Sequence, residues 1–177
     1  MDSYSISFDG KVLGRGFWIY VVDVGTAEGR HLYVGRTGDS SSANASSPFS
    51  RIGQHLDFRS NAKGNALARN LRAAGVDPSG CRFEMIAIGP VFPEEKDFAS
   101  HCPVRDKVAA LEHGLASALR ARGYRVLGKH SAPCAADQQV LAELVAIVEA
   151  RLASAGGVPH NNELQRTKPA QAMELRR

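Results

Sequence analysis

The chain is poor in several things that would have narrowed its class at once. It has only three cysteines in 177 residues, Cys81, Cys102 and Cys134. Their odd number and wide spacing argue against a disulfide framework and for a reducing compartment. They also exclude the Cys-x-x-Cys pairs of a zinc ribbon, and His101 and His130 do not restore metal-site spacing. No apolar run approaches the ~20 residues of a membrane span. Residues 1–8 lack the basic-then-apolar order of a signal peptide. These absences point to a soluble, cytoplasmic protein. The net charge of +4 permits a polyanionic partner without demanding one. Internal repeats are also missing.

What is present is one domain's worth of apolar residues, 44% of the chain, enough for a single core and too few for two. Residues 6–13, with Asp9-Gly10 at their centre, read as a small hairpin. Residues 16–24 form an apolar, aromatic run that suits a central strand covered on both faces. After a short glycine-flanked turn, residues 31–36 form a second strand, antiparallel because the connection is short. A third strand spans residues 81–88 and ends at Gly89-Pro90.

Helical spacing appears in four places. Ser47-Pro48 reads as an N-cap followed by proline in the first turn, opening a helix that buries Phe49, Ile52 and Leu56. Arg51 and His55, one turn apart, share another face that Arg59 would extend. Residues 63–74 form a second helix with Leu67, Leu71 and Ala74 inward. The stripe Val104, Val108, Leu111, Leu115, Leu119 marks the longest helix. Glu112 lies ~60° from the centre of that stripe at 100° per residue, where a carboxylate needs a partner. Residues 137–152 form a last helix, and residues 156–177, without periodicity, read as a disordered tail.

Ile19-Tyr20, Tyr33-Val34-Gly35, Arg51 with His55, and Glu112, in this order and spacing, resemble the GIY-YIG endonuclease superfamily. The resemblance covers residues 14–131, with residues 1–13 as an N-terminal extension and residues 132–155 as a helix packed on the domain. It implies an α/β domain of the α+β type, a three-stranded antiparallel sheet flanked by helices. It also implies a metal-dependent endonuclease that hydrolyses DNA phosphodiesters by in-line attack of water. The alternative is a catalytically degenerate module on the same fold that binds nucleic acid or a protein without cleaving.

The resemblance assigns roles. Glu112 would hold a divalent cation, Mg²⁺ or Mn²⁺, and Arg51 would clamp a phosphate oxygen. Tyr20 would be the general base, with Tyr33 as a second hydroxyl and His55 orienting or replacing it. A phenol titrates near ~10, so a cation must lower it, and Arg36 is the expected source. Whether Tyr20 or His55 takes the proton stays open. Arg59, Lys63, Arg69, Lys129 and His130 are candidates for contacts to DNA. With no separate recognition domain, cutting both strands would call for a homodimer on the substrate. Two departures stand out: Trp18 replaces the first glycine of the motif, and Gly128 replaces an asparagine after the glutamate helix.

Overall fold

Strand β1 (Phe17–Thr26) is buried along its first eight residues and has neighbours on both sides. The computed structural model describes residues 2–39 and 43–155. In it, β1 pairs antiparallel with β2 (Gly29–Arg36) and with β3 (Arg82–Phe92). Alternation along β1 feeds two cores, as the two-residue period of a strand requires. Phe17, Ile19 and Val21 face one way, with Leu32 and Val34 of β2. Tyr20, Val22 and Val24 face the other, with Tyr33.

The sheet has four strands, not the three expected, and it is mixed. Val126–Leu127 form β4, parallel to β2, in the order β3-β1-β2-β4. Leu32 N–H donates to the Arg125 carbonyl at 2.8 Å, so this extended piece satisfies an edge of β2 that would otherwise be open. The fold is therefore α+β. The third strand also runs further than expected, through Gly89-Pro90 to Phe92, with a register shift on β1 between Phe17 and Ile19. Because β3 is an edge strand, a proline without N–H is tolerated there.

Among the described residues four α-helices cover the sheet. α1 (Pro48–His55) and α2 (Ala66–Ala73) lie on the tyrosine face. α3 (Phe98–Ala121) and α4 (Gln138–Ala155) pack on the other. Ser47 Oγ accepts from Ser50 N–H at 3.2 Å with Pro48 in the first turn, the cap expected from sequence. The buried stripe of α1 differs from expectation. His55 is 2% exposed and Phe49 is 43% exposed, its ring lying 4.6 Å from that of Phe8. α1 also ends at His55, so Arg59 lies beyond it.

α2 starts three residues later than expected, after Gly64 at φ +73° and Asn65, whose amide donates to the Asp57 carbonyl at 3.0 Å. α3 starts six residues before its apolar stripe. Asp97 caps it by accepting from Ser100 N–H at 2.9 Å, and the first turns carry no stripe for a sequence reading to detect. On α4, Leu144, Val145, Val148 and Leu152 are buried, and Leu141 meets Gly114 of α3, where a Cβ would come within 2.8 Å of it.

The expected N-terminal hairpin is absent. Gly10–Leu13 form a 3-10 turn, and residues 2–9 join no strand. Asp9 Oδ1 accepts from Lys11 N–H at 2.9 Å, so the aspartate side chain takes the donor that a hairpin turn would use otherwise. The expected tail, residues 156–177, lies outside the described residues. Among the described residues no helix is long and apolar enough to cross a membrane.

Candidate active site

The site grows out of the register of β1 on β2. Tyr20 stands opposite Gly35 and Val22 opposite Tyr33, which puts both phenols on the α1 side of the sheet. Tyr20 is fully buried, and its ring lies over Gly35. A Cβ there would come within 2.5–2.6 Å of Tyr20 Cε2, Cζ and Oη. Only glycine leaves room for that phenol. Trp18, in place of the motif's first glycine, is 4% exposed and packs against Gly89, a core role.

α1 ends at the phenols. Tyr20 Oη and His55 Nε2 are 2.5 Å apart. The Tyr33 ring meets His55 edge-on, with centroids 5.1 Å apart at 66°. Burial, and secondarily the charge of Arg51, lowers the imidazole to about 4, with the Gly64 backbone offsetting part of the shift. The imidazole is therefore neutral, and in the tautomer with its proton on Nδ1 it accepts from Tyr20 Oη at Nε2. Burial raises both phenols above their usual range.

Two arginine–carboxylate pairs border this cluster. Arg36, at the end of β2, is bound to Glu112 Oε2 on α3, with side chains 20% and 14% exposed. Burial raises the Glu112 carboxyl, and Arg36 opposes that shift. Arg51 is bound to Asp39 Oδ2 and also donates to Gln54 Oε1 at 2.8 Å. The cation that favours ionisation of both tyrosines is Arg51. The expectation that Arg36 would supply that charge is corrected: its guanidinium is committed to Glu112.

Asp39 is the residue that the sequence reading missed. Its negative charge acts on Tyr20, Tyr33 and Glu112. The chain before it is fixed on every side. Thr37 Oγ1 donates to the Gly16 carbonyl at 2.6 Å and accepts from Trp18 N–H at 2.8 Å. Gly38 has φ +75°, touches the Phe17 ring, and its carbonyl lies 3.0 Å from His101 Nε2. The available signal was a Gly-Asp turn directly after the strand that carries Tyr33 and Arg36.

A hard divalent cation that keeps most of its waters needs one or two carboxylate oxygens. The donor set here is suitable. Glu112 offers the oxygen that Arg36 does not hold, and Asp39 brings a second carboxylate whose charge already reaches Glu112. Among the described residues no group of three or more His, Cys, Asp or Glu is placed to hold an ion.

The residues expected to contact DNA separate into distinct settings. Arg69 and Lys129 line an open cleft of about 640 Å³ with Ala66, Asn70, Ala73 and Gly128. Lys63 is exposed before α2. Arg59 is exposed and bound to its neighbour Asp57. His130 is used internally: Nε2 lies 3.0 Å from the Val34 carbonyl and Nδ1 3.1 Å from Arg120, so its ring straps β2 to α3. Comparisons with protein-family models, curated proteins and solved structures return no match for this chain.

Proposed function

We propose that this protein is a metal-dependent endonuclease of the GIY-YIG type, hydrolysing DNA phosphodiesters by in-line attack of water. The observation that carries this reading is the meeting of Tyr20, Tyr33, His55, Arg51 and Glu112, from two strands and two helices, within mutual electrostatic reach. Core packing accounts for the two phenols under α1, but not for an arginine and a carboxylate drawn to the same place.

The proton path follows from the local bonds. Tyr20 and His55 are both neutral at pH 7, and the path uses the tautomer with the imidazole proton on Nδ1, in which the phenol donates to Nε2. Tyr20 Oη is fully buried, so the path requires substrate binding to admit a water beside it; that water gives its proton to Tyr20 Oη while Tyr20 passes its own to His55 Nε2. No free phenolate has to form; the cost moves to His55, whose imidazole is held at about 4 and so takes the proton only transiently. Arg51 exchanges Asp39 for a phosphate oxygen and steadies the charge that builds there. Arg36 holds the Glu112 carboxylate in place. A bound Mg²⁺ or Mn²⁺ would supply Lewis-acid stabilisation of the phosphoryl and leaving oxygens, held by Glu112 with Asp39.

A plasmid-nicking assay with Mg²⁺ tests the reading. Wild type is expected to nick, and Glu112→Ala and Arg51→Ala to lose at least about 10²-fold in rate. Equal nicking by all three would assign the activity to a contaminant. A second reading, a binding module that does not cleave, draws on one observation. Both site arginines are already neutralised by carboxylates. DNA binding that weakens with salt, without cleavage under any divalent metal, would favour it.

A further inference from the structure

The cleft between α2 and the end of β4 is not used by the chemistry above. Two of its walls carry cations, Arg69 and Lys129, both exposed and neither in a salt bridge among the described residues. Elsewhere on this face Arg51 is neutralised by Asp39 and Arg59 by Asp57, while Arg72 turns to the carbonyl and ring of Phe58. Among the described residues no carboxylate lines the cleft. Its floor is small, Ala66, Ala73 and Gly128, so a ligand can come close to the backbone.

An amide reaches across it. Gly128 has φ +82°, and a Cβ there would lie 3.0 Å from Asn70 Nδ2. The missing side chain on β4's end thus makes room for an amide delivered from α2. Arg120 holds this wall by donating to the Gly128 carbonyl at 2.8 Å. The cleft adjoins the phenols, because Leu127 pairs with Tyr33 and the charge of Arg69 acts on the Tyr33 hydroxyl.

We propose that this cleft is a second phosphate subsite, which holds a phosphodiester of the DNA strand flanking the one at Arg51. It rests on the nuclease reading for the direction of the strand, and its chemistry is independent of cleavage. Arg69 and Lys129 provide charge, and Asn70 Nδ2 provides a neutral donor to a phosphate oxygen. The small floor admits the sugar. A flanking phosphate held here fixes the strand's register while Arg51 takes the reacting one.

The test is binding of a labelled DNA duplex in EDTA, measured over a range of salt. Arg69→Ala with Lys129→Ala is expected to bind several-fold more weakly, with a salt slope shallower by about 0.9, one phosphate's worth on duplex DNA. Arg151→Ala, an exposed cation on α4 across the sheet, should leave the slope unchanged. Ala73→Leu fills the cleft while keeping both charges, and should also weaken binding. An unchanged slope in the double variant, an equal loss in Arg151→Ala, or undiminished binding by Ala73→Leu would each overturn the subsite. A wild type that binds with these differences but never cleaves would sink the nuclease reading and leave the subsite standing. Cleavage with an unchanged slope would do the reverse.

Discussion

Tyr20 and Gly35 are cross-strand partners, and the phenol of one occupies the space where the other would carry a Cβ. That single relationship fixes the direction in which Tyr20 points. With Gly35 beneath it, the hydroxyl reaches His55 at 2.5 Å. Gly35→Ala should therefore displace the ring and break that bond. The expected cost in stability is about 1–3 kcal/mol, as for other overpacked cores. Denaturant midpoints read the stability and nicking rates read the site. A variant as stable and as active as wild type would mean that the phenol does not rest there.

Acid should weaken the fold through His55. Its imidazole is held at about 4, against an ordinary value of 6.5. Between those limits the unfolded chain takes up a proton that the folded protein excludes. Stability is then complete above pH 6.5 and falls as the pH drops towards 4, by up to roughly 3 kcal/mol. His55→Gln cannot titrate, so its stability should change less across this window. The shift of His130 has the same sign and is common to both proteins, so the difference isolates His55. Parallel curves for the two proteins would show that His55 is solvated.

Asp39 competes for Arg51. Asp39→Asn should release the guanidinium, so that DNA binding in EDTA tightens several-fold and becomes more sensitive to salt. In the same variant the Mg²⁺ concentration for half-maximal nicking should rise, because one carboxylate donor is lost. Tightening without a change in the metal requirement would leave Glu112 as the sole protein donor.

Glu112 and Arg36 stabilise each other in a largely buried pair. Removing only the acid leaves a guanidinium with no carboxylate. Glu112→Ala should lose about 1–3 kcal/mol, less than a fully buried pair would lose because both groups retain some exposure. Arg36→Met with Glu112→Met should recover most of that stability while remaining inactive. A double variant no more stable than Glu112→Ala would show that the lost stability is not that of an unpaired charge.

Much of this was legible along the chain. The apolar run of β1 required a covered central strand, and Ser47-Pro48 marked the start of α1. Glu112, at the border of a buried stripe, signalled a carboxylate in need of a partner. The start of α3 was illegible because its first turns bury little that repeats. β4 was seen only as an extended piece, since two residues carry no periodicity and its pairing depends on where α3 returns the chain.

The sequence by itself determined the two strands with their tyrosines, the basic helix after them, and the acid on the longest helix, because each is written in local periodicity and residue type. Tertiary structure alone decided the partnerships. Arg36 meets Glu112 rather than a phenol, Arg51 is held by Asp39, and His55 is buried and neutral while Phe49 is exposed. It also placed Asn70 beside Gly128, across 58 residues of chain. The physical reason is range. Secondary structure answers to neighbours a few residues away, whereas charge pairing and desolvation answer to whatever the packed sheet and helices bring within a few ångströms.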